Sequence, residues 1–352
     1  MVVRMTPAMS AIAACFGMAT YAAGRSSAAA AAGPRPAEAA LFAYDEQRLA
    51  IVEFRTGALR FVSEPDAFAH EPVWSPTGAR LSYRIDEQLM VHVDGVSPDR
   101  PFFAAPGFRA DRPYVYSPDE KWIAASLPDG VALLRLPANT RAPVPGESRQ
   151  TPLPGCGIPD LLATPDGTKV LALCAPGGQK RVIVGIDVET QATSTQPADG
   201  VVRMLGWQRD GTLLVAAAHA TTGEEPATLS PSGKLHRLHV VEDGEFIVAA
   251  LRDPGQIVLA MGNEGDIGPT ILRLAGPTRD SSMPWLREFG SIDDINFTRD
   301  GSWALFVKPV RGGRQGGDVY LAATGSEQAT RVLASTADRS YASPVPRPLG
   351  RR

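Results

Sequence analysis

The chain has 352 residues, 44% of them hydrophobic and 21% charged, with a formal net charge of −3. That balance is ordinary for a globular body and gives no basic surplus for a polyanion, so nucleic acid is excluded as an expected ligand. The 34 glycines and 31 prolines call for many tight turns, because both residues set turn dihedrals, and favour an all-β chain over a helical one.

Residues 1 to 33 differ from the rest of the chain. Arg4 precedes an apolar run from Ala8 to Ala23, and small residues fill Ser26 to Gly33. One positive charge, a short apolar core and then small residues form the pattern of a secretory leader. The core is too short to span a membrane, and no later segment reaches about 18 apolar residues. Ile12-Ala13-Ala14-Cys15 resembles a lipobox, which makes Cys15 the candidate lipidation site and a lipid anchor the alternative to simple cleavage. The expected division is a leader at 1–33, one folded domain at 34–347 and a disordered tail at 348–352. The expected location is periplasmic or otherwise extracytoplasmic.

From residue 74 onward six short turns recur. They are Trp74-Ser-Pro-Thr-Gly78, Tyr116-Ser-Pro-Asp-Glu120, Ala163-Thr-Pro-Asp-Gly167, Trp207-Gln-Arg-Asp-Gly211, Leu251-Arg-Asp-Pro-Gly255 and Phe297-Thr-Arg-Asp-Gly301. Their last residues lie 42, 47, 44, 44 and 46 positions apart, the spacing of four-stranded propeller blades. Pro sets φ at the second turn position and Gly accepts the φ that the next strand requires. A β-rich run comes next, as in Ala79 to Tyr83, Thr168 to Leu173 and Ser302 to Val307.

A second hairpin completes each repeat, with copies at Leu49–Val62, Met90–Phe103, Val131–Pro145, Val182–Gln196, Ala227–Val241, Ile271–Met283 and Val319–Leu333. Seven outer hairpins against six inner turns leave the first blade without its innermost strand. Ser340 to Val345 is the candidate to fill it, which would close the ring and remove two exposed sheet edges. The expected fold is all-β: a single β-propeller of seven four-stranded blades, with six as the alternative, closed by the C-terminal strand.

The W-S-P-x-G turn, the apolar strand after it and the V-x-x-x-T-G hairpin resemble the WD40-like repeat of TolB-type proteins and of the propeller domains of prolyl oligopeptidases. The likeness covers roughly residues 39 to 333 and is best at Trp74–Tyr83 and Leu49–Val62. It implies a fold and says little of function, since one propeller repeat serves many unrelated proteins. These residues include no α/β domain of the kind that TolB carries, so that family's partners are not carried over.

Catalytic signatures are sparse. No Gly-x-Ser-x-Gly nucleophile elbow occurs in the 352 residues. The turns Thr164–Gly167 and Thr298–Gly301 resemble sialidase Asp-boxes but lack the residue between Asp and Gly. His236 and His239, three apart on a strand, face opposite sides and do not form a metal pair. The acidic, glycine-rich Gly262–Gly268 segment lacks the ligand alternation of a calcium loop. No metal, no cofactor and no catalytic residue are expected. Cys156 and Cys174 flank one hairpin, and if Ala163 faces Val170 across its turn a disulfide between them is within reach in an oxidising compartment; a buried free thiol at Cys174 is the alternative.

Ligands of propellers meet the loops that lead into the inner strands, where each blade offers side chains to a shared rim. Counting eight residues back from each turn glycine, or from Glu120 in its place, and taking the adjacent positions includes His70, Arg112, Asp160, Arg203, Asp293 and Asp294, and with Arg109 these form the candidate rim. Arginines facing acids across a channel favour a non-catalytic propeller that binds a protein or peptide of the cell envelope at the channel mouth. A small-molecule-binding or metal-dependent, lactonase-like hydrolase is the alternative, and it would need acids, amides or histidines converging on one ion without arginines among them. Trp74 and Trp207 are expected to pack between blades.

Overall fold

A computed structural model describes residues 34 to 348, apart from 45, 66, 68, 86 and 87, 104 to 112, 138 to 147, 176 to 179, 221 and 222, 239 to 244, 251 to 256, 262 to 270, 276 to 282, 287 to 291, 310 to 315, and 337 and 338. The expected inner turn at 251–255, the Gly262–Gly268 segment, Cys15, Arg109 and Arg112 lie outside the described residues.

All regular structure among the described residues is extended. The first three strands are β1 (Glu38–Ala43), β2 (Arg48–Glu53) and β3 (Leu59–Phe61). Five four-stranded antiparallel sheets come next along the chain. They are β4 (His70–Trp74), β5 (Arg80–Ile85), β6 (Gln88–Val93) and β7 (Val96–Phe103); β8 (Tyr114–Tyr116), β9 (Trp122–Leu127), β10 (Gly130–Arg135) and β11 (Ser148–Pro152); β12 (Asp160–Ala163), β13 (Lys169–Cys174), β14 (Val182–Asp187) and β15 (Thr193–Pro197); β16 (Val201–Trp207), β17 (Leu213–His219), β18 (Gly223–Leu229) and β19 (Leu235–Arg237); and β20 (Glu245–Ala250), β21 (Ile257–Met261), β22 (Ile271–Ala275) and β23 (Met283–Trp285). The last strands are β24 (Asp293–Phe297), β25 (Trp303–Pro309), β26 (Gly317–Ala323), β27 (Ala329–Leu333) and β28 (Tyr341–Pro346), which join β1 to β3 in one eight-stranded assembly. The strand pairing between the two halves of that assembly is a single residue pair, Gly317 with Tyr341, whereas β28 runs antiparallel along β1 from Ala39 opposite Pro346 to Ala43 opposite Tyr341.

One expected hairpin is displaced. The partner of β10 is Ser148–Pro152 and not the stretch ending at Pro145, because Pro143 and Pro145 have no N–H to give to a ladder.

The recurring turns share one hydrogen-bonding scheme. The hydroxyl of the first turn residue accepts the N–H five residues on: Ser75 from Arg80 (3.0 Å), Ser117 from Trp122 (3.1 Å), Thr164 from Lys169 (3.0 Å) and Thr298 from Trp303 (3.0 Å). This is why Ser or Thr stands there: it satisfies a donor at the start of the next strand. The turn aspartates act inward as well. Asp166 accepts from the Thr164 and Thr168 hydroxyls and Asp300 from those of Thr298 and Ser302. The Thr164 hydroxyl, with the Thr168 N–H second, holds the Asp166 carboxyl below the usual range. Both are structural turn residues.

Side chains from facing sheets fill the space between neighbours. One core joins Trp122, Val131 and Leu133 to Leu161, Val170, Ala172 and Ile186; the next joins Leu173 and Ile183 to Val201, Val215 and Leu229. Indole N–H groups tie neighbouring sheets to one another, with Trp122 donating to the Gly167 carbonyl (2.8 Å) and Trp207 to that of Ala163 (2.8 Å). No helix among the described residues is long and apolar enough to cross a membrane.

Cys156 and Cys174 are joined by a disulfide with a Cα–Cα distance of 4.7 Å, tying the approach to β12 to the end of β13. Both residues are buried. A cross-link between residues 18 apart in sequence restricts the unfolded chain by about 3 kcal/mol. Thermal melting of Cys174→Ala should therefore show a clear loss, matched by the parent under reductant. A parent whose melting ignores reductant would reject the link.

Candidate functional site

The innermost strands β4, β8, β12, β16, β24 and β28 line a cavity of about 560 Å³. Aromatic rings dominate its wall: Trp74, Tyr114, Tyr116, Trp207 and Phe297. Pro72, Pro76, Pro118, Pro165, Pro346 and Pro348 also line it, so much of the wall lacks backbone donors. Among the described lining residues Arg299 is the one formal charge, and Asn296 the one side-chain amide.

Local structure explains the rings. Trp74, Tyr116, Trp207 and Phe297 each end an inner strand, immediately before the recurring turn. One repeat position therefore delivers a ring from four different strands to the same end of the cavity. The Trp74 indole donates to the Val345 carbonyl (3.2 Å), as Trp207 does to Ala163, so these rings both brace neighbouring strands and form the wall. The tyrosine hydroxyls are occupied. Tyr114 (3.2 Å) and Tyr116 (3.0 Å) both donate to the Ser82 hydroxyl, which donates onward to the Val73 carbonyl (3.1 Å). Burial pushes the Tyr116 phenol up to about 12 and raises that of Tyr114 further, so both remain neutral donors at physiological pH. Such a cavity is apolar, aromatic and within the size range of small-molecule sites.

Of the rim inferred from sequence, the side chains of Arg203, Asp160 and Asp294 lie among the described residues. Arg203 grips Glu224 with two bonds (3.0 and 2.6 Å) and donates to the Ile247 carbonyl (2.9 Å). It is thus engaged by β18, two strands over in its own sheet, and by β20 of the next sheet. Asp160, the first residue of β12, accepts the Met204 N–H (2.9 Å). Burial raises its carboxyl above the usual range, against that bond. Asp294 is exposed with φ of 47°. His70 and Asp293 open β4 and β24, and their side chains, like Arg109 and Arg112, lie outside the described residues. No cluster of three or more His, Cys, Asp or Glu suited to a metal occurs among the described residues.

No family model matches the chain, and no curated protein does. Solved structures do. TolB from Acinetobacter baumannii aligns at 12% identity over 86% of this chain and 79% of its own, with a TM-score of 0.47. A puromycin hydrolase aligns at 17% over 86% of this chain and 51% of its own, with a TM-score of 0.55. A puromycin-hydrolyzing peptidase of Mycobacterium tuberculosis aligns at 14% over 82% and 50%, with a TM-score of 0.59. The chain thus spans about half the length of these two hydrolases.

These likenesses correct the expectation of a non-catalytic scaffold that binds a protein or peptide at its channel mouth. The same architecture serves hydrolases, so the fold does not separate this chain from enzymes. What the comparisons and the strand order together support is the architecture: successive four-stranded antiparallel sheets in a β-propeller fold, as in these two hydrolases.

Proposed function

We propose that the chain binds small, largely apolar molecules bearing an aromatic group inside its central channel. The observation that carries this reading is the cavity of about 560 Å³ walled by Trp74, Tyr114, Tyr116, Trp207 and Phe297. Aromatic walls give a ring-bearing ligand both area burial and edge or face contacts worth about 0.5–1.5 kcal/mol per pair. Two structural relatives carry the same fold in enzymes named for hydrolysing puromycin. In that setting a channel that admits aromatic molecules would work in series with a hydrolase.

The reading includes a ring of seven four-stranded blades with β28 as the innermost strand of the first. It is supported by the indole of Trp74 meeting Val345 as Trp207 meets Ala163, so β28 relates to β4 as one ordinary inner strand relates to the next. It also includes export behind the leader at 1–33, supported by the Arg4-led apolar run and by a disulfide suited to an oxidising compartment.

Calorimetric titration with 2-naphthamide, a neutral aromatic amide, tests the channel. The parent should bind with a 1:1 stoichiometry. Val73→Glu should weaken binding at least about 10-fold with little change in melting, since Val73 lines the cavity yet is 37% exposed. No heat of binding, or equal binding by Val73→Glu, would reject the channel as the site.

A further inference from the structure

We infer that Asn296 sets the specificity of the channel, selecting ring-bearing ligands that carry a carboxamide; this rests on the channel reading above. The residues immediately before the six recurring turn motifs are Val73, Val115, Leu162, Gly206, Ala250 and Asn296. Val73, Val115, Leu162, Gly206 and Asn296 all line the cavity, and the side chain of Ala250 lies outside the described residues. In the other five repeats this position is aliphatic or glycine, as suits an apolar wall. The last repeat places a carboxamide there instead.

The other polar side chains of the lining are engaged by the protein. Tyr114 and Tyr116 donate to Ser82, the indoles of Trp74 and Trp207 donate to the Val345 and Ala163 carbonyls, and Arg299 donates to the Pro76 carbonyl (3.5 Å). Asn296 is half-buried, and its side chain has no hydrogen-bond partner among the described residues. Its backbone, by contrast, is held. It pairs with Leu305 just past the register shift of β24, and the next residue, Phe297, packs against Trp285 with ring centroids 5.9 Å apart. The strand end is therefore anchored while the amide is left to the cavity.

An amide in an apolar wall costs free energy unless its donors and acceptor are bonded, and here that bonding falls to water or to a ligand. The Asn side chain presents two N–H donors beside a carbonyl acceptor in one plane. Its complement is another planar group with a donor next to an acceptor, joined to it by two parallel bonds. An aromatic carboxamide has that group, with its apolar body among the rings of the wall and its amide edge on Asn296. A ligand of the same shape without the donor displaces water from Asn296 yet leaves its carbonyl oxygen unbonded, which is the kind of mismatch that polar sites reject.

The test compares 2-naphthamide with 2-acetonaphthone, in which a methyl group replaces the amide nitrogen and its donors. Calorimetry of the parent should give at least about 10-fold tighter binding of the amide, the reverse of the order that apolar transfer alone would set, since the ketone is the less polar ligand. Asn296→Leu, close in size, should invert the preference by weakening 2-naphthamide and strengthening the ketone. Because no described protein group bonds the Asn296 side chain, this variant should melt like the parent, and the ratio measured on the parent needs no variant at all. A parent that binds the ketone as tightly as the amide, or an Asn296→Leu variant that keeps the parent's preference, overturns selection by Asn296 and leaves the channel standing. Binding of neither ligand by the parent overturns the channel as well.

Discussion

Removing residues 340 to 352 should cost about 5 kcal/mol or more and turn a cooperative melt into a broad, aggregation-prone one, whereas removing only residues 349 to 352 should leave the melt unchanged. The longer deletion takes away the whole of β28 and its antiparallel pairing with β1. It uncovers β1, whose Ala39, Ala40 and Leu41 are wholly buried, and discards Tyr341, buried to 2% exposure. Each ladder hydrogen bond contributes about 0.5–1.5 kcal/mol and a buried large side chain about 1.5–3 kcal/mol. Arg347 is lost too. Its backbone N–H donates to the Glu38 carbonyl (2.9 Å), and its guanidinium bonds Glu38 (2.6 Å), Asp94 (2.8 Å) and the Gly78 carbonyl (2.9 Å) while covering the Trp74 ring at 4.7 Å. The bared edge of β1 would then offer unpaired donors and acceptors to another chain. Differential scanning calorimetry with light scattering reads both effects. A deletion to 340 that melts like the parent and stays monomeric would show that β28 is dispensable and that the ring does not depend on it.

Arg80→Met should destabilise by about 3–5 kcal/mol, the cost of leaving a buried carboxylate without its cation. The side chains of Arg80 and Glu120 are 3% and 8% exposed and meet at 3.3 Å. Arg80 also donates to the Pro137 carbonyl (3.0 Å), and Glu120 accepts the Thr77 N–H and hydroxyl (2.5 and 2.6 Å). The second variant that completes the argument is Arg80→Met with Glu120→Gly. Glu120 has φ of 57° at the position where other turns place glycine, such as Gly78 at 74° and Gly167 at 72°. Restoring glycine there removes both the stranded charge and the backbone strain. The double variant should therefore be more stable than Arg80→Met alone by urea denaturation. If it is not, the buried pair is not what fixes Glu120 in that conformation.

Glu120 also shows where reading the sequence stops. The turns were legible because their chemistry is local: hydroxyl, proline and glycine each answer a requirement within five residues, and the 42-to-47-residue spacing repeats it. The facing of Ala163 and Val170 was legible for the same reason. Why a glutamate sits in a glycine position was not, since its partners, Arg80 and Thr77, come from another blade's turn. The rim is a different case. Counting eight residues back from each turn assumes unbroken strands, yet the inner strands carry register shifts between His70 and Val73, between Val201 and Arg203, between Met204 and Gly206, between Ile247 and Ala249, and between Asp293 and Asn296. Each bulge re-aims the side chains beyond it. The partner of Arg203, Glu224 on β18, the strand two over in the same sheet, was likewise not legible from that count. The aromatic wall did have a signal, a ring immediately before the turn at residues 74, 116, 207 and 297. Reading it as packing alone missed that a residue at the end of an innermost strand belongs to the core and to the channel at once.

The meeting of Glu38 with Arg347 has a topological consequence. If the ring proposed above is closed by β28 against β1, the order of blades is a circle that the polypeptide enters at one junction. Any connection between successive sheets is then an equivalent place to begin and end, provided residues 38 and 347 are bridged. Circular permutation or insertion of a guest domain at such a connection would redistribute the chain's ends without altering which strands are partners.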